Sequence, residues 1–537
     1  MIDILLDKIG DWNPQLLREL KGRLTLKNIL IAVGISLVVQ ILFYLGFSSN
    51  SYGNSFPSWV LYLFITLSIV GIIILQVGGV YVLMDDLQRE EKRGTLNFIR
   101  LSPQTSRSIL CGKILGVPIL VYLGILLAIP LHICLGIYAA IPTHHIVAFY
   151  ILVAVNCFLF YSAALLFTLF GYSPALKGSL GFVGSIFVFF FTSIFAIVCF
   201  SPSLPFPIGV FNWVSFFYPG YFLHFLLSQT PHASDLFYPS NADFIKQITW
   251  FGLPLWSNAI SAFLCTLVNY FLVISWIWNG LERCFHDRTN TGLSKKQSYW
   301  LSGILTLVLM GFSLENIQAR RYLMENLSVI LIVQFFILCG LIIILSPHRT
   351  TLQVWSRYRH QITSKKLLWD LILEEKSPAH LAILLNSILT STILLVALFL
   401  SSLTKDYNFD KYRIAFAICL FINSGVIFFY SSLVQWIFLQ KFKQRLVVAI
   451  AALFTLFSLH PVIATVTDIV LVKPVLLITS IGSNILPTIL LSLVGQGIAI
   501  VAINLQMTRQ LRHLGESEIK ELLSGDSRDS KQLSDVA

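Results

Sequence analysis

The sequence predicts an all-α, polytopic helical membrane protein of about twelve transmembrane helices, arranged as two six-helix halves. Three observations carry that expectation. Of 537 residues, 56% are hydrophobic and only 12% charged, where an ordinary soluble chain carries about 25% charged. Apolar runs long enough to cross a hydrocarbon core recur along the whole chain. Lys and Arg gather between these runs, the pattern of cytoplasmic loops, and not along one face as for nucleic-acid binding.

Residues 1–27 read as an interfacial amphipathic helix. Leu16, Leu17, Leu20 and Leu24 share one helical face, with Arg18, Lys21 and Arg23 around it. This polar start argues against a cleavable signal peptide. The first half, 28–290, holds apolar runs at 28–47, 59–84, 114–141, 146–170, 178–200 and 254–281. Its segment 201–250 is rich in aromatic residues and proline, with one Lys and no Arg. It is expected to be non-cytoplasmic and re-entrant. The second half, 291–508, holds runs at 299–314, 327–346, 379–402, 413–438, 446–466 and 483–506, and 509–537 is a polar cytoplasmic tail.

Charge supports this topology. With both termini inside, 30 of the 37 Lys and Arg fall in cytoplasmic segments and 7 outside, Arg320 and Arg321 being the awkward pair. Eight cysteines show no paired spacing and read as small packing residues.

The most informative stretch is 85–113, DDLQREEKRGTLNFIRLSPQTSRSILCGK, a charged island between two runs free of Asp, Glu, Lys and Arg. Asp85 and Asp86 are expected to cap a helix carrying Glu90 and Glu91 in its first turns. Gly94 weakens that helix, and Ser102-Pro103 starts the next. Loop 347–380 echoes this order, with Glu374 and Glu375 ahead of Ser377-Pro378.

Within the apolar runs no Asp, Glu, Lys or Arg lies away from the ends. Ion-coupled transport needs intramembrane ionisable groups, so the energy source is expected outside the spans. His132 and His460 are the exceptions, and each reads first as a packed, hydrogen-bonded residue. The chain has no GxxxxGK[ST] phosphate loop. His144-His145 lacks Cys or acidic neighbours, so neither a metal site nor a catalytic residue is expected.

Arg89, Glu90, Glu91, Gly94, Thr95 and Leu96, followed by Ser102-Pro103 and Gly112-Lys113, resemble the coupling segment of ABC-2 type permeases. The stretch from Asn13 to Leu20 resembles that family's interfacial helix. The resemblance implies a permease subunit of an ATP-driven exporter, not itself an enzyme, in a plasma (inner) membrane of bacterial type. It implies separate ABC ATPase subunits, two copies, with ATP and Mg bound on them and no cofactor on this chain. It also places the ATPase-docking contact on those six residues. Glu374, Glu375, Ser377 and Pro378 are the candidate second docking loop. The nearly uncharged spans point to an amphiphilic substrate. The alternative is a membrane-embedded enzyme on a lipid-linked substrate, with Asp85, Asp86, Glu90 and Glu91 holding Mg.

Overall fold

The computed structural model describes residues 8–49, 56–170, 179–200, 210–228, 248–287, 290–313, 320–361, 367–400, 407–441, 444–467 and 486–515. Over these residues the chain is all-α apart from one short hairpin, and eight helices are long and apolar enough to cross a membrane. It is an integral membrane protein. The chain divides into two compact units, Met1–Arg288 with Gly311–Ala319, and Thr289–Met310 with Arg320–Ala537.

In the first unit, α1 (Pro14–Arg23) begins where the Asn13 side chain accepts from Leu16 N at 3.0 Å, with Pro14 in the first turn. Lys21 and Arg23 close it against the negative end of the helix dipole. Its buried face is Gln15, Leu16, Glu19 and Leu20, whereas Leu24 is 38% exposed. The expected leucine face is thus rotated toward polar residues, because the surface α1 meets is charged.

α2 (Leu26–Ser49) follows as a span with no buried residue. α3 (Phe56–Ile73), a π-helical turn at Ile74–Gly78 and α4 (Gly79–Arg93) are continuous, so that one span and its extension run from Trp59 to Arg93. The π turn has a visible cause. Tyr161 Oη reaches into the helix and donates to Leu75 O at 2.6 Å. A Cβ on Gly79 would lie 2.0 Å from that oxygen. Gly79→Ala is therefore expected to expel Tyr161 and cost roughly 2–4 kcal/mol, from overpacking and a lost buried hydrogen bond. A thermal melt of Gly79→Ala against the parent checks this, and Tyr161→Leu in the same chain should return part of the loss. A Gly79→Ala chain as stable as the parent would remove this cause of the π turn.

Asp85 and Asp86 do not cap a helix. They lie inside α4, which leaves the span without a break, because carboxylates on a helix face do not stop it. Gly94 does stop it, at φ +73°, a left-handed conformation that disfavours side chains. α5 (Thr95–Arg100) is a short piece. Ser102 caps nothing ahead of it; its hydroxyl donates back to Ile99 O at 2.7 Å. The cap of α6 (Ser106–Gly116) is Thr105, accepting from Ser108 N at 3.3 Å.

Pro118 and Pro130 divide the next span, which lack of an N–H forces into pieces, α7 (Ile119–Leu126) and α8 (Ile129–Tyr138). α9 (Thr143–Phe170) and α10 (Leu180–Phe200) are further spans. The expected re-entrant region is described over 210–228, as α11 (Val210–Ser215) and the wholly buried α12 (Pro219–Leu227), and from 248 on, where β1 (Thr249–Trp250) pairs with β2 (Leu253–Pro254). Its remainder lies outside the described residues. α13 (Ala259–His286) packs along α9, where Trp278 Nε1 donates to Ser162 Oγ at 3.0 Å. Each of the six apolar runs of this half thus meets one span.

α14 (Lys295–Ser313) begins the second unit, though its last turn, from Gly311, groups with the first. α15 (Arg320–Leu345) and α16 (Arg349–Gln361) follow, bent by 68° between Leu345 and Arg349, where Pro347 stands. Leu352 of α16 then packs on Leu439 and Met507. α17 (Leu367–Leu373), α18 (His380–Leu400), α19 (Tyr407–Leu439), α20 (Arg445–Thr467) and α21 (Leu486–Gly515) complete it. Helices stand at all six expected runs. Only α18 and α19 are among the eight spans, and the bent pair makes nine if counted as one. α14 has 19 residues and begins on Lys295-Lys296, leaving a short apolar stretch. The polar tail from 516 and the His460 side chain lie outside the described residues.

Candidate functional site

The charged island folds around a lysine. Lys113, on α6 ahead of the third span, is fully buried. Asp86 and Glu90, one turn apart on α4, and Glu19 on α1 converge on it. Lys113 Nζ donates to Asp86 Oδ2 at 2.8 Å. It lies 2.7 Å from Glu90 Oε2, an ion-pair contact off the hydrogen-bonding direction, and 3.6 Å from Glu19 Oε1. Arg23 reaches Asp86 at 2.5 Å and Glu19 at 3.3 Å; Arg18 pairs with Glu90, and with Glu19 at 3.1 Å. Three carboxylates meet three cations. Burial works against the Lys113 ammonium, but Asp86, Glu90 and Glu19 outweigh it and hold its pKa above the ordinary lysine value.

Small residues allow this contact. A Cβ on Gly112 would lie 2.7 Å from Asn13 Oδ1, and one on Gly116 2.6 Å from Glu19 Cβ. α1 therefore lies close on α6, and Asn13 Nδ2 donates across to Ser108 O at 2.8 Å. At the far side Arg107 pairs with Glu282, and Arg100 stands 5.6 Å over the Phe285 ring. α1, the loop and the end of α13 form one platform.

The six residues expected to dock an ATPase divide between its two faces. Glu90 and Leu96 point inward, Leu96 being 1% exposed. Arg89 is outward, paired with Asp85 at 2.7 Å. Gly94 makes the turn, Thr95 donates to Glu90 O at 3.2 Å, and Glu91 is half-buried. The outward apolar residues are Phe98, 76% exposed, and Leu101, 84% exposed. Sequence reasoning missed them; the signal was two large apolar residues between Asn97, Arg100 and Ser102.

The second loop is also built on a buried lysine. Lys295 Nζ donates to Leu371 O at 2.7 Å, Ser377 Oγ at 2.6 Å and Pro378 O at 3.1 Å. Ser377 does not start α18. Its hydroxyl turns back to Asp370 O and Glu374 O, closing the segment on α17. Glu374 accepts from Trp355 Nε1 at 3.0 Å, and Glu375 is half-buried. Leu368 and Trp369 face outward, 66% and 62% exposed. Each loop thus carries a short helix with two exposed large apolar side chains nearby, backed by a buried lysine.

The lysines differ in charge balance. Burial pulls Lys295 down to about 7, with Glu374 and Glu375 opposing only in part. Since the folded value lies below the unfolded one, the unfolded chain binds more protons between about pH 7 and pH 10.5. Stability from this group therefore rises with pH across that window and is flat below it. The parent's thermal midpoint minus that of Lys295→Met, a signed difference, should rise from pH 7 to pH 9. A difference that shrinks with pH would contradict the assignment.

The first unit also holds a half-open cavity of about 1010 Å³ between α2 and the body of the unit, floored by Leu16 and Leu20. His132 lines it, buried between Ser68 Oγ and Tyr150 Oη, both at 2.7 Å, and stacked on Phe64. It is the packed, hydrogen-bonded residue expected.

No family model, curated protein or solved structure matches the chain.

Proposed function

We propose that the chain is the membrane-spanning permease subunit of an ATP-driven exporter of the ABC-2 type, powered by separate ATPase subunits. The observation that carries this reading is the platform around Lys113. A rigid charged network ties α1 to the helix leaving the second span, while Phe98 and Leu101 are left facing outward. Force on that face is transmitted directly into Trp59–Arg93 and into the span that follows α6. The Lys295 loop offers a second face of the same make.

In this reading both termini and both loops are cytoplasmic, in a bacterial plasma membrane, and the second unit contributes its own six helices for a total of twelve. ATP and Mg belong to the partner, and two ATPase copies meet the two loops. ATP-driven closure of the partners pushes the loops and alternates access for an amphiphilic substrate.

The enzyme alternative rests on carboxylates, and Glu19, Asp86 and Glu90 do lie close enough together to suggest a metal site. They do not fit one here. The Lys113 ammonium stands among them, and Arg18 and Arg23 complete their neutralisation. Purification of the tagged full chain in mild detergent from its own host tests the reading. Co-purification of a Walker-motif ATPase is expected; a chain that comes out alone and turns over a lipid-linked substrate with Mg²⁺ would overturn it.

A further inference from the structure

We propose that the cavity of the first unit is a binding site for one acyl chain of a membrane lipid, with α2 as its outer wall. The inference does not depend on export. α2 has no buried residue although it belongs to a bundle, and Ser36 Oγ anchors it by donating to Gly124 O at 2.6 Å. Behind it, the space that neighbouring helices would ordinarily fill is the cavity.

The lining selects an apolar occupant. Ile35, Val39, Leu67, Ile125, Phe149 and Phe158 supply its walls. Its polar groups are few and are tied to the protein: His132 is bonded on both ring nitrogens, and Gln40 Nε2 donates to Ser36 Oγ at 3.1 Å. A bound water needs two to four polar partners, and these walls are mostly aliphatic and aromatic. Its size selects a chain-like molecule of the bilayer. Along α2 the lining runs from Asn28 to Gln40, about 18 Å at about 1.5 Å per residue. That is close to one leaflet of a hydrocarbon core about 30 Å thick. The Asn28 end adjoins the α1 platform, where its side chain donates to Arg23 O at 3.0 Å. A lipid enters from that end with its head group outside and its chain along Ile35 and Val39.

The test uses the full chain in nanodiscs containing phosphatidylcholine with a diazirine at the end of one acyl chain. Label is expected on the stretches around Ile35 and Phe149 in preference to outward-facing Phe187 on α10. Ala32→Trp with Ala154→Trp narrows the cavity from both walls and should cut that label at least fivefold; Leu264→Trp, on the outside of α13, should leave it unchanged. Even labelling of cavity and outer faces, or a double variant labelled like the parent, would overturn the proposal. A second readout covers a double variant that folds poorly. Exhaustive delipidation should lower the parent's thermal midpoint more than that of the single Ala154→Trp chain, and an equal loss in both would count against the site.

Discussion

Lys113→Met is expected to be the most damaging single substitution in the first unit. It removes the one cation that touches Asp86, Glu90 and Glu19 together, leaving three carboxylates with two arginines in a poorly hydrated contact. Breaking a buried pair from one side costs about 3–5 kcal/mol, because the uncompensated charge remains. At about 2 °C per kcal/mol for a large unit, the thermal midpoint should fall by roughly 6–10 °C. Lys113→Met with Glu90→Gln restores charge balance and should recover a good part of that. A double variant no better than the single one would show that packing, not charge, makes Lys113 matter.

Phe98→Asp with Leu101→Asp is expected to separate docking from folding. Both side chains are outward, so stability should stay within about 0.5 kcal/mol of the parent. Apolar anchors at the centre of an interface carry at least about 2 kcal/mol, so association with the ATPase should weaken roughly thirtyfold or more. Leu368→Asp with Trp369→Asp makes the same change in the second loop. If both loops dock, that variant also loses association. If only the first one does, co-purification is unaffected and the second unit is a structural half.

Much of this arrangement was legible in the sequence because the signals are local. Each apolar run became a helix, and Gly94 broke one as a residue that tolerates positive φ. The charged island is a loop of short helices, as its Pro, Gly and charges imply. What was not legible depends on distant partners. Asp86 and Glu90 read as helix-start acids until Lys113, 27 residues from Asp86, is placed between them. Glu19 sits beside Leu16 and Leu20 on the face of α1 that packs, which was a usable signal of a buried cation. Ser102-Pro103 and Ser377-Pro378 look like helix starts, yet both hydroxyls bond backwards. A local dipeptide does not say which neighbouring helix its side chain serves. In the second unit helices stand at all six expected runs, and among the described residues two of them, or three with the pair bent at Pro347 counted as one, are long and apolar enough to cross a membrane.

Chemical capture from the loop itself tests whether its outward face docks an ATPase. A photoreactive phenylalanine placed at Phe98 or Leu101, and at Phe187 as a lipid-facing control, would be irradiated in membranes of the native host. A crosslink to a Walker-motif ATPase is expected from the two loop positions and none from Phe187, with the yield lost in Lys113→Met. Crosslinks from Phe98 and Leu101 that reach only lipid, in membranes where such ATPases are present, would contradict docking there.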